Sequence, residues 1–220
     1  LRASITHLEV RGEGHSGYNS FPVPLDLTPL AKMPNLRTLT VYSGDEMTGL
    51  GGLQQLKVLD LYRGTIPEDI KALPLLHLKI RGTSNVPELG TLSKALHTLH
   101  IETSCELDIS GIAALTSLRR LLLKCNKLTG LEGLKALTNL ETLDLSQCSN
   151  ITALPDLSAL RKLTDINLSH CYGLTTLDGL SGLRGLQTIS LLSCSALSSV
   201  APLAGNASLV VQNLKGCESL

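Results

Sequence analysis

Cys148, Cys171, Cys194 and Cys217 stand 23 residues apart, each closing the same phrase: aliphatic, two variable, aliphatic, one variable, aliphatic, two variable, then the thiol. A short fixed period constrains the fold more than any other feature here. One such unit is too small to bury its own apolar face, so the units must stack on one another.

The clearest copies read Leu140, Leu143, Leu145, Cys148; Leu163, Ile166, Leu168, Cys171; and Leu186, Ile189, Leu191, Cys194. Looser copies precede them in phase: Leu118, Leu121, Leu123 with Asn126; Leu96, Leu99, Ile101 with Ser104; Leu75, Leu78, Ile80 with Thr83; Leu56, Leu59, Leu61 with Gly64; Leu36, Leu39, Val41 with Gly44. Ile5, Leu8 and Val10 open the array, while Leu209, Leu214 and Cys217 close it with Gln212 at a normally apolar position. Alternation with period two, as in Leu143-Asp144-Leu145, predicts a short strand whose leucines point inward. Between strands, Leu134, Leu137 and Leu140 recur every three residues, the spacing of a tight 3₁₀-like turn.

These phrases resemble the leucine-rich repeat superfamily. Residues and resemblance together imply an α/β solenoid: a right-handed superhelix with a parallel concave β-sheet and a short 3₁₀ or loop convex side, in about ten coils. At roughly 4.8 Å per strand the array would span about 50 Å. A single domain over residues 1–220 is expected, with coils starting near residues 5, 36, 56, 75, 96, 118, 140, 163, 186 and 209 and a loop insertion at 12–24 that carries Tyr18 and Phe21. The chain starts at Leu1 rather than methionine and stops at Leu220 in mid-repeat, so it is expected to be part of a longer polypeptide.

Composition narrows the function classes. Aromatic residues make up 2% of the chain and tryptophan is absent, which suits a core of stacked leucines better than a sandwich or an α/β enzyme. Net charge is zero and the pI near 7.1, so nothing global draws the chain to nucleic acid or to an anionic membrane. No apolar run is long enough to span a bilayer.

The shared repeat position of four cysteines predicts a buried column of reduced thiols standing in for the superfamily's asparagine, and hence an intracellular, cytoplasmic location. Their Cβ vectors would run parallel, a poor geometry for bridging. No paired zinc ligands at short spacing occur, so no metal or other cofactor is expected. Cys105 and Cys125 lie off the column. Cys125 follows Lys124 near the expected strand edge, where a cation would lower its pKa; incidental placement is the simpler reading.

Binding chemistry would sit on the outward residues of the strands. Through the middle coils these are Tyr42, Tyr62, His77, Lys79, Arg81, His100, Arg120, Leu122 and Lys124, with Arg63 at the edge and Asp144 following. Tyrosine and arginine often dominate interface energies, so this face is the candidate site for a protein partner with an acidic and apolar surface. Asp165, Ser169 and His170 are close in sequence, but on one strand they diverge, and no catalytic role is assigned. The basic positions are interrupted by acids and lack stacked aromatics, which argues against nucleic acid.

The phrase Asp144-Leu145-Ser146 before the cysteine, with Leu177-Asp178-Gly179-Leu180 after one, is similar to trypanosomatid and other protozoan leucine-rich repeat proteins, which implies a protein–protein interaction module acting as scaffold or adaptor. The copy at 143–158 also looks like plant intracellular immune receptors, which would make the array a ligand-sensing domain. F-box ubiquitin ligases carry the same cysteine in longer repeats, which would make it the substrate-recognising part of a multi-subunit enzyme.

Overall fold

The computed structural model describes residues 5–12, 24–44, 46–206 and 208–220. Ten strands form one parallel sheet in chain order: His7–Arg11, Thr38–Tyr42, Val58–Tyr62, His77–Arg81, Thr98–Glu102, Arg120–Lys124, Thr142–Asp144, Asp165–Asn167, Thr188–Ser190 and Val210–Asn213. We number the coils one to ten by these strands. From the second coil to the ninth, both inward aliphatic residues are at most 3% exposed, so the period-two phrase does place its leucines inside. The insertion at 12–24, with Tyr18 and Phe21, falls at 13–23 outside the described residues.

The far wall is built from single 3₁₀ turns, such as Ser110–Ala114 and Leu131–Ala136. The Leu137 N–H donates to the Leu134 carbonyl at 3.0 Å and the Leu140 N–H to that of Leu137 at 2.8 Å. Apolar residues three apart therefore fall on one side of consecutive i→i+3 turns, which is why that spacing recurs. Two minimal parallel pairs, Leu25–Asp26 with Met47–Thr48 and Leu107–Asp108 with Leu128–Thr129, complete the regular structure described.

The cysteine column is a ladder of side-chain bonds. Each thiol donates to the carbonyl of the second inward strand residue one coil back: Cys148 to Leu123 at 3.3 Å, Cys171 to Leu145 at 3.2 Å, Cys194 to Leu168 at 3.1 Å and Cys217 to Leu191 at 3.0 Å. Its own N–H turns back to its own strand, Cys148 to Leu145 at 3.2 Å for example. The residue thus bonds two coils at once, with a small apolar body in the core. Burial pushes Cys148 and Cys194 up to about 11 and raises Cys171 further, so these thiols stay protonated.

Two features depart from the sequence reading. Cys125 is not at an exposed edge: it is 2% exposed, its thiol lies 3.2 Å from the Cys105 carbonyl, and burial raises its pKa despite Lys124 alongside. In the tenth coil, Val211 rather than Gln212 pairs with Ile189, and the register shifts so that Asn213 meets Ser190. A buried amide without partners would be costly, and slipping by one residue leaves Gln212 exposed and puts the apolar residue in the inward register.

Candidate protein-binding face

The outward residues of the strands align by register. One row runs Arg11, Tyr42, Tyr62, Arg81, Glu102, Lys124 across six adjacent strands. In it the Tyr42 and Tyr62 rings stack with centroids 4.5 Å apart and planes 16° from parallel. The Arg11 guanidinium lies 5.2 Å from the Tyr42 centroid, while Lys79 Nζ and Arg81 Cζ lie 5.6 and 5.9 Å from that of Tyr62. Parallel in-register pairing brings the two rings together, and cations at both ends of the stack hold it in place.

This row forms one side of a trough of about 810 Å³ at the C-terminal ends of the strands. Of the residues singled out from sequence, Tyr42, Tyr62, Arg63, Arg81 and Lys124 line it. Lys79, His100, Leu122 and Asp144 lie in the adjoining central row, in register with one another. His77 and Arg120 are at the opposite, N-terminal ends of their strands with Thr98 between them, so they do not join the trough. Asp144 is engaged internally: Oδ1 accepts the Ser146 N–H at 2.8 Å and Oδ2 the Asn167 amide at 3.2 Å.

Charge in the trough is unevenly satisfied. Arg81 Nε is 3.5 Å from Glu102 Oε2 but is a buried donor without a hydrogen bond. Among the described residues, Arg63, Lys79 and Lys124 have no carboxylate within ion-pair distance. Under Arg81, His100 is half-buried with its Nε2 unpartnered; burial, then Arg81 and Lys79, push its pKa down to about 4, so it is neutral at physiological pH.

Sequence reading left out Glu102, Ser43, Gly82 and Gln147, which also line the trough. Several trough residues sit just past the strand in the left-handed region: Arg63 at φ 65°, Gly82 at 61° and Gln147 at 66°. The glycine was a usable signal for that turn; an arginine or a glutamine there is not.

The polar residues near the eighth coil are committed elsewhere. Asp165 accepts from Thr188 and Thr164 at 2.5 and 2.7 Å, which holds its carboxyl below the usual range. The Ser169 hydroxyl shares a hydrogen bond with Ser190 at 2.8 Å, and His170 Nδ1 one with the Tyr172 hydroxyl at 3.3 Å. The His77 and His97 rings are 6.4 Å apart, and no cluster able to hold a metal occurs among the described residues.

Parallel strands in chain order, 3₁₀ turns behind them and a ladder at the turn position make this a leucine-rich repeat fold. The family model for leucine rich repeats in two copies matches residues 116–159. The fold is similar to that of an internalin, inlF, of Listeria monocytogenes, with a TM-score of 0.68 at 20% identity over 87% of this chain and 58% of that one. Internalin C2 of the same organism gives 0.51 at 20% identity over 86% of this chain and 75% of that one. The chain therefore spans less than two thirds of the length of inlF. No curated protein sequence matches it significantly.

Proposed function

We propose that this chain is a protein-binding module that holds an acidic and apolar partner surface against the concave sheet face of coils two to seven. The observation that carries this reading is the Tyr42–Tyr62 stack with cations at both ends. Stacked rings clamped in this way are ordered before a partner arrives, so less conformational entropy is lost on docking. Around them Arg63 and Lys124 supply cations that no carboxylate of the described residues pairs, which favours fast and selective capture of an acidic surface.

Catalysis is not part of this reading, because Asp165, Ser169 and His170 each bond a different neighbour. Neither is nucleic acid: the tyrosine faces are taken up by each other and by cations, leaving no platform for bases. Protonated, buried thiols support a reducing, cytoplasmic setting.

Reversing charge at Arg81 and Arg120 together, Arg81→Glu with Arg120→Glu, tests the face with one residue from each end of the strands. Capture of the native partner is expected to fall by about tenfold or more, since like charges would then oppose it. Both side chains are partly or fully exposed, so the melting temperature should stay within about 2 °C. Unchanged capture by a folded double variant would remove this face from consideration.

A further inference from the structure

We infer that the trough binds an acidic peptide segment of the partner in polyproline II conformation, with carboxylates three residues apart seated on Arg81 and Lys124. This rests on the proposed protein-binding role and names the chemistry that the role requires.

Charge complementarity and spacing carry it. Arg81 and Lys124 belong to the fourth and sixth strands, with Glu102 on the fifth between them. Two strand separations are about 9.6 Å. A polyproline II segment repeats its side-chain direction every three residues and advances about 9.3 Å in doing so. A carboxylate at one position and another three residues on therefore fall over the two cations, while the residues between them turn away from Glu102. A fully extended strand fits less well, since its side chains share a face at every second residue, about 6.8 Å apart.

Three further observations point to an absent acceptor. Arg81 Nε is a buried donor without a hydrogen bond, only loosely opposed by Glu102 at 3.5 Å. Arg63 and Lys124 line the same trough, and among the described residues neither has a carboxylate within ion-pair distance, Glu102 being paired with Arg81. Arg63 also occupies the left-handed region at φ 65°, where the next coil has Gly82 at 61°. A β-carbon is disfavoured there, so an arginine at that turn costs stability that its side chain does not recover within the chain. Glu102 adds selection: a uniform polyanion would have to bring negative charge against it.

The test uses labelled nonapeptides and fluorescence anisotropy at low ionic strength. Three Asp-Pro-Leu triplets should bind, three Asn-Pro-Leu triplets should bind about tenfold more weakly or worse, and alternating Asp-Leu should bind more weakly than the triplets. Lys124→Ala should weaken the triplet peptide. Arg63→Gly should weaken it too while melting at or above the wild-type temperature, a pairing of effects that a purely structural arginine would not give. Glu102→Gln should let a thymidine oligonucleotide bind that the wild type rejects. Equal affinity for the Asp and Asn peptides, indifference to Lys124→Ala and Arg63→Gly, or preference of the wild type for the oligonucleotide would each overturn the inference. If the triplet peptide fails to bind while Arg81→Glu with Arg120→Glu still abolishes partner capture, this inference falls and the binding face stands. If capture also ignores those charges, both fall.

Discussion

A thiol at the ladder position serves two coils because it is small, apolar and still a donor. Two residues past that position asparagine makes a two-sided bond to the preceding coil: Asn150 accepts the Leu128 N–H at 3.1 Å and donates to the Leu128 carbonyl at 2.7 Å, and Asn85 does the same for Ile66 at 2.7 and 2.9 Å. Cysteine at the ladder position donates only, and it is buried. The cost of ionising it is then a cost to the fold. In the folded chain Cys148 and Cys194 titrate at about 11, above the ordinary thiol value. Their contribution is fully present below that ordinary value and is lost as pH rises through 11. Chemical denaturation followed from pH 8 upward should show stability falling by about 2–3 kcal/mol per thiol across this window. Cys148→Ser, which keeps a donor but does not titrate there, should have the shallower alkaline limb; parallel limbs would mean that the thiol is not the titrating group. The column's burial was legible from its period. Cys125 was not, because its neighbour Lys124 is outward in the strand while the next residue already belongs to the turn.

In two of the three strands that are three residues long, the side chain between the two inward residues bonds the backbone. In the seventh and eighth coils Asp144 and Asn167 take the N–H two residues on, at 2.8 and 3.0 Å, and the strand closes after three residues. Thr40, Lys79, His100 and Leu122 occupy that place in five-residue strands, where the side chains make no such bond and the backbone stays in the ladder. The closing turn then needs a left-handed residue: Gln147, His170 and Ser193 take it at φ 66°, 62° and 59°, ahead of their cysteines, and Gly216 does so at 78°. Gln147→Gly should therefore stabilise the chain by about 0.5–1 kcal/mol in denaturant unfolding, the relief of the β-carbon outweighing the added freedom of the unfolded chain. A loss of stability would show that the glutamine side chain contributes more than its backbone costs. The period made the strands readable. The trough was only half readable, since its tyrosines and most of its cations fall on the strands, whereas Ser43 and Gln147 enter through turns whose shape no residue type there announces, and Gly82 alone marks its turn.

Among the described residues each strand packs on the strands of the neighbouring coils, and the core is one continuous row of buried apolar side chains from Leu27 to Leu203. The last strand lies beyond it: Val210, Val211, Leu214 and Leu220 are 58, 37, 44 and 49% exposed, so the tenth coil is held mainly by its backbone pairing and by Cys217. Stability in such an array is a sum of local terms and interfaces between neighbours. Leu121→Ala, emptying a site that is fully buried in the sixth coil, should cost about 2–5 kcal/mol. Hydrogen exchange should show protection lost first in coils five to seven and kept longest in coils eight and nine. A uniform loss from end to end would mean that the array unfolds as one unit.

The thiol ladder also bears on how such an array changes over generations. Every rung joins a side chain to a carbonyl that any residue would present, and all four point back toward the preceding coil. A coil therefore recognises that it has a predecessor, without regard to which one. Duplication, deletion or exchange of a whole 23-residue unit in the cysteine-bearing half leaves every rung of this ladder chemically unchanged. The earlier coils, where Tyr42, Tyr62 and Arg81 meet across neighbours, have no such freedom, because moving one of them by a single place dismantles the row.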